Sequence, residues 1–97
     1  MAKGNVIWSE DANKDIDEIF YGMTLHSDAY AQNWADELYR HLDLLTAFPE
    51  MGRIVPEKEV RFLREIIVWK YRILYTFLNS QITIIRVVHS SRPLGKI

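Results

Sequence analysis

The sequence predicts an α+β fold in which a short N-terminal strand and an αα-hairpin precede a three-stranded antiparallel sheet. Three observations carry that expectation. Apolar residues recur at helical spacing through the first half, the period changes to two-residue alternation after Gly52, and Pro49 and Gly52 stand at the change. With 97 residues the chain is a single domain, 1–97, long enough to bury a core and too short for two. The sequence contains no internal repeat, linker or low-complexity segment.

Val6-Ile7-Trp8 is a short β-prone run, and Ser9 behind it is a good N-cap with Glu10 and Asp11 where the helix dipole favours negative charge. Ala12, Ile16, Ile19, Phe20 and Met23 then form one apolar stripe, which predicts a helix from about Glu10 to Leu25. His26-Ser27-Asp28 interrupts it and supplies new capping residues. Ala31, Ala35, Leu38, Leu42 and Leu45 form a second stripe, flanked by Trp34 and Tyr39 and ending before Pro49. Beyond Gly52, the segment Arg61 to Trp69 is rich in β-branched and aromatic residues, and Tyr71, Ile73, Tyr75 and Phe77 mark one face of a strand. Asn79-Ser80 is a tight turn leading to the last strand, Gln81 to His89. That strand is apolar on both faces, so it is expected to lie inside the sheet, with the helices on one side and another segment on the other.

Nearly half the residues are apolar and about a quarter charged, the composition of a folded protein. The chain has no cysteine. A disulfide framework, a thiolate metal site and a Cys nucleophile are thereby excluded, and a reducing compartment is the simplest home. The segment Met1 to Asn5 has no apolar core and no cleavage site of a signal peptide, and Ile66 to Val68 with Trp69 falls far short of the roughly 20 apolar residues of a membrane helix. A cytoplasmic protein without a membrane partner is expected.

The formal net charge of −1 conceals a segregation. From Ser9 to Ala47 nine acids face two cations, Lys14 and Arg40, whereas from Phe48 to Ile97 nine cations face four acids. Either the two halves attract each other across solvated faces, or the molecule presents an acidic and a basic surface to partners.

Four patches, in this order and spacing, resemble the RelE/ParE toxin superfamily. They are Ala12 to Ile19, Leu45 to Arg53, Tyr71 to Tyr75, and Ile84 to Arg92, and together with the elements between them they cover the chain from about Val6 to Leu94. The resemblance implies the toxin of a bacterial type II toxin–antitoxin pair, neutralised by a cognate antitoxin in a hetero-oligomer. Two activities diverge within the superfamily. RelE-like members are ribosome-dependent mRNA endonucleases, whereas ParE-like members inhibit DNA gyrase without a catalytic centre of their own.

A metal-free ribonuclease needs a base, an acid and cations for the phosphorane charge. Glu57 or Glu59, His89, and Arg61, Arg64 and Arg86 are the residue types available, with Arg64, Arg86 and His89 the trio that an open sheet face could gather. By strand alternation, however, Arg86 and His89 point to opposite faces unless a bulge falls between them. RelE-like nucleases also resemble one another in strong basicity and in a Tyr closing the last strand, where this chain reads Val88-His89-Ser90. These departures place the chain nearer the ParE-like branch, a gyrase inhibitor with no catalytic residue and no sequence-specific nucleic-acid contact. His89 then caps a strand end or packs on an aromatic. His26 and His41 lack metal-ligand spacing, and no phosphate-binding loop is present, so neither metal nor cofactor is expected.

An antiparallel sheet with only two helices leaves apolar surface for a partner. Tyr21, Leu25, Trp34, Trp69 and Leu74 are the apolar residues surplus to the stripes, and a partner segment could lay a helix on the hairpin and add a strand to the sheet edge. Tyr21, Leu25 and Trp34, with Arg53, Arg61 and Arg64 for its acids, are the residues expected to hold the antitoxin; self-association through the same surface is the alternative.

Overall fold

A computed structural model describes residues 6–95, so the Met1–Asn5 segment considered above and the last two residues lie outside the described part. The elements run β1 (Val6–Trp8), α1 (Glu10–Thr24), α2 (Asp28–Ala47), β2 (Arg53–Ile54), β3 (Leu63–Val68), β4 (Tyr71–Leu78) and β5 (Gln81–His89). Both helix starts follow the capping logic of their sequence. Ser9 Oγ accepts from the Ala12 amide at 3.0 Å, and Ser27 Oγ accepts from the Tyr30 amide at 3.1 Å. Ser9 also donates to the Ile85 carbonyl at 3.0 Å, which fixes the start of α1 against β5.

The three predicted strands pair as expected, β3 with β4 and β4 with β5, both antiparallel. The sheet is nevertheless five-stranded and mixed, in the order β1-β5-β4-β3-β2, and this corrects the three-stranded antiparallel expectation. β1 adds to β5 in parallel, Val6 opposite Ile82 and Trp8 opposite Ile84. The connection between these parallel neighbours runs through both helices and then through β2, β3 and β4 before it returns to β5. β2 adds on the opposite edge through Arg53 and Ile54, a pair too short to show a period in sequence. The β4–β5 turn has positive φ at both Asn79 (51°) and Ser80 (61°), the backbone that a tight two-residue hairpin prefers.

Residues of the two sheet faces enter separate apolar clusters. On the helical side Trp34, Leu38, Leu45, Ile73, Tyr75 and Ile84 pack with the rest of the α1 and α2 stripes. On the other side Leu63, Leu74 and Val88 are covered by Val55 and Val60 of the β2–β3 connection and by Leu94. β5 is an interior strand buried from both sides, as its doubly apolar sequence required. Leu74 is fully buried and Trp34 is 1% exposed, so neither belongs to the apolar surplus expected at the surface. Trp34 instead donates its indole N–H to the Val68 carbonyl at 3.3 Å, which ties α2 to β3.

The passage from helix to sheet is locked by one tyrosine. Tyr75, fully buried, donates its hydroxyl to the Pro49 carbonyl at 2.8 Å and accepts the Gly52 amide at 3.0 Å. A Cβ at Gly52 would lie 2.6 Å from both the Glu65 carbonyl oxygen and the Tyr75 hydroxyl, which is why no larger residue fits. Tyr75→Phe leaves the buried Gly52 amide without its acceptor, and we expect a loss of about 1–3 kcal/mol in urea denaturation. Gly52→Ala should cost more than Tyr75→Phe in the same measurement, because one of its clashes is with rigid backbone.

Candidate functional site

On the sheet face away from the helices, the charged side chains form a closed network. Glu65, 1% exposed, accepts from Arg53 Nε and from Arg72 Nε, both at 2.5 Å. Arg72 then grips Glu57 with both terminal nitrogens, at 2.8 and 2.9 Å. The bidentate guanidinium holds the Glu57 carboxyl down at about 2, and the same hydrogen bonds raise Arg72 above its usual range. Sequence alternation carried a signal for this arrangement, since Glu65 sits between Leu63 and Ile67 on one strand face, but nothing in the sequence specified its partners.

The three nuclease-type candidates are not brought together. Arg64 pairs in register with Tyr75, and His89 pairs with Tyr71. Four residues along β4 separate those positions by roughly 13 Å, and Arg64 and His89 also lie on strands two apart, a further 10 Å or so across the sheet. Arg64 donates to the Gly52 carbonyl at 2.8 Å and the Glu50 carbonyl at 3.2 Å, where it fastens the α2–β2 loop. A bulge does occur in β5, with Ile85 as the additional residue between the pairs Tyr75–Ile84 and Leu74–Arg86. It precedes both Arg86 and His89, so their opposite parity stands. Arg86 pairs with Leu74 of the far-side cluster, whereas His89 pairs with Tyr71, whose ring it meets edge-on at 5.2 Å.

Arg86 is engaged by a residue that sequence reasoning passed over. Asp15 of α1 accepts from Arg86 Nε at 2.7 Å and from the Val87 amide at 2.9 Å. β1 ends opposite Ile84, so Asp15 takes over as acceptor on the edge of β5 that the short strand leaves open. Its carboxylate raises the Arg86 guanidinium further above its ordinary range. His89 Nδ1 faces the Ser91 hydroxyl at 2.7 Å and accepts the Ser91 amide at 3.1 Å, the capping role that a strand-end histidine commonly fills. Of the remaining candidates, Glu59 and Arg61 are exposed, with Glu59 in left-handed backbone at φ 50°.

The other open feature is apolar and lies on the helices. A groove of about 620 Å³ runs between α1 and α2, lined by Ile16, Phe20 and Tyr21 on one wall and by Ala35, Leu38 and Tyr39 on the other, with Trp34 in its lining. Tyr21 is 66% exposed and Tyr39 62%, while Leu25 at the hairpin turn is 69% exposed. Tyr21 and Leu25 therefore sit at the surface as expected, and Trp34 contributes from beneath it. Trp69, at φ 55° in the β3–β4 turn, is half-exposed and stacks at a tilt on Tyr30, ring centres 5.3 Å apart. Arg53 and Arg61 are exposed on the sheet side. Among the described residues no His, Asp or Glu group has the disposition of a metal site, and no helix is long and apolar enough to cross a membrane.

Comparison with known families decides what this arrangement belongs to. The family model described as the ParE toxin of the type II toxin–antitoxin system parDE matches residues 6–94. The chain belongs to the ParE toxin family. No curated protein matches it significantly. Solved structures do match. A chain of the chromosomal ParDE toxin–antitoxin system from P. aeruginosa superposes with a TM-score of 0.69 at 19% identity, covering 90% of this chain and 96% of that one. The E. coli DinJ-YafQ toxin–antitoxin complex gives 0.67 at 13% identity, covering 97% and 100%, and a YafQ mutant from E. coli gives 0.64 at 13%, covering 96% and 100%. At these identities the structural matches establish a shared fold. ParE membership rests on the family model, and the chain is a type II toxin.

In this ParE toxin the Glu57–Arg72 clamp has a pH signature. Glu57 is depressed from the usual 4.5 to about 2 in the folded state, so its contribution to stability is fully present above about 4.5 and is lost as pH falls toward 2. Denaturation midpoints measured between pH 6 and pH 2.5 should fall less steeply for Glu57→Gln than for the parent. Glu65→Ala, which leaves two guanidiniums facing an empty buried position, should cost about 3–5 kcal/mol at neutral pH.

Proposed function

We propose that this toxin inhibits DNA gyrase by binding, without a catalytic centre, and that a cognate antitoxin silences it by covering the helical hairpin and the basic sheet edge. The observation that carries the reading is the commitment of the cationic side chains. Arg72 is spent on Glu65 and Glu57, Arg86 on Asp15, and Arg64 on two backbone carbonyls. A phosphodiester-cleaving site needs cations aimed at the developing charge and a proton donor within reach of the same atom. Here the guanidiniums point into the protein, and His89 stands on the opposite parity to Arg86, so a ribosome-dependent endonuclease fits less well.

An antitoxin partner is supported by two kinds of observation. The structural relatives include a ParDE system and the DinJ-YafQ complex, both toxin–antitoxin assemblies. The chain itself carries an unfilled apolar groove and a short edge strand, β2, whose outer side has no neighbour among the described residues. Tyr21 and Leu25, and Arg53 and Arg61, are the contacts we assign to it, with buried Trp34 forming the floor of the groove; Arg64 is largely occupied by the α2–β2 loop and would add little.

The test compares parent, Arg86→Ala and His89→Ala for inhibition of gyrase supercoiling and for ribosome-dependent cutting of mRNA. Supercoiling inhibition by the parent is expected, and His89→Ala should retain it within about threefold, whereas removal of a proton-transfer group would cost about 10²–10⁴-fold. Cleavage of mRNA by the parent that disappears in either variant would overturn this function in favour of the nuclease.

A further inference from the structure

The groove between α1 and α2 carries charge as well as apolar area, and its sign identifies the chemistry of what enters. Two helices side by side leave a furrow that a third helix fills by ridge-in-groove packing. Asp17 lines the α1 wall, and Gln32 of the α2 wall donates to Asp36 at 2.9 Å, so each rim bears a carboxylate. Asp28 continues the α2 rim at the same four-residue spacing.

Neither cation of the hairpin is available to offset these acids. Lys14 pairs with Glu10 at 3.6 Å, and Arg40 pairs with Glu37 at 2.7 Å. The one ion pair found between the hairpin and the sheet half among the described residues, Asp15 with Arg86, lies on the β5 side of α1. An apolar furrow is thus bordered on both sides by carboxylates with no cationic partner among the described residues. An anionic segment, or the acidic hairpin of a second copy of this chain, would bring like charges together as it desolvated them.

We propose that the occupant is an amphipathic helix of the antitoxin whose apolar stripe is flanked by Lys and Arg. This rests on the toxin–antitoxin reading above and adds to it the sign of the recognition charge. Seated on Tyr21 and Tyr39, the helix places its cations over Asp17 and Asp36. The antitoxin must then reverse sign where it reaches the sheet half, whose exposed cations include Arg61. The charge segregation of the chain becomes a code that fixes which segment of the partner lies where.

The test uses two labelled peptides of about 18 residues, long enough for helix formation, with the same Leu stripe at i, i+3, i+4 and i+7 and flanked by Lys in one and by Glu in the other. Anisotropy titration of the full chain at low salt should favour the Lys peptide by about tenfold or more, and about 1 M salt should abolish most of that preference by screening. The double variant Asp17→Lys/Asp36→Lys should reverse the preference, whereas Glu59→Lys on the sheet side should leave it unchanged. Tyr39→Ala should weaken the Lys peptide, which separates seating in the groove from diffuse attraction to an acidic surface. Equal binding of the two peptides, or indifference to the double variant, overturns the proposal.

A cellular arm separates this from the reading beneath it. The chain is expressed with and without the protein encoded beside it. Growth arrest relieved by that protein, with relief lost for Asp17→Lys/Asp36→Lys, supports the inference. Relief that persists for the double variant overturns the groove assignment and leaves the toxin–antitoxin reading standing, and absence of either arrest or relief overturns both.

Discussion

The buried carboxylate of Glu65, held between the guanidiniums of Arg53 and Arg72, is the interaction on which the sheet's far face depends. Burying a lone carboxylate is prohibitive, and only an arrangement that supplies charge and hydrogen bonds together makes it tolerable. Glu65 therefore fixes where its neighbours go. Arg53 draws β2 onto β3, and Arg72 lies across β4. Through Arg72, Glu57 brings the β2–β3 connection over the sheet so that Val55 and Val60 close the second apolar cluster. One buried charge thus organises the outer strand, the covering loop and the second core.

The same constraint limits chemistry. A cation held bidentately by Glu57 and again through its Nε by Glu65 is positioned for structure and is charge-compensated where it stands. Arg86 and Arg64 are treated in the same way by Asp15 and by the carbonyls of residues 50 and 52. The arginines that composition offers to a phosphodiester are largely turned inward. What remains at the surface is apolar and acidic on the helices and largely basic on the sheet half. The ParE fold and the YafQ fold superpose on this chain almost equally well, so the arrangement of side chains, and not the backbone, separates the two functional readings.

The charge segregation is only sparsely paired across the two halves. Asp15 with Arg86 is the pair found among the described residues, and the hairpin's own cations pair within their helices at i+3 or i+4. The acidic and basic faces are left outward, and such faces act on partner choice and encounter rather than on folding.

Local periodicity and capping were enough to read several elements from the residues alone. Ser9 and Ser27 start the helices, the apolar stripes set their inner faces, Asn79-Ser80 sets the last hairpin, and the doubly apolar Gln81–His89 run had to be an interior strand. The four resemblance patches, read in order, also pointed to the family. The features that stayed hidden in the residues are non-local. β1 joins β5 in parallel although both helices and three strands lie between them in sequence, and two residues suffice for β2, neither of which has a sequence period to display. Trp34 reads as surplus at the edge of its stripe, yet its indole N–H finds the Val68 carbonyl from a residue 34 positions later and is buried by doing so. The partners of Glu65, Arg72 and Arg86 were equally invisible. A charged side chain records in sequence only that it needs a counter-charge, and the fold chooses which one, because that choice depends on which strands the chain brings together.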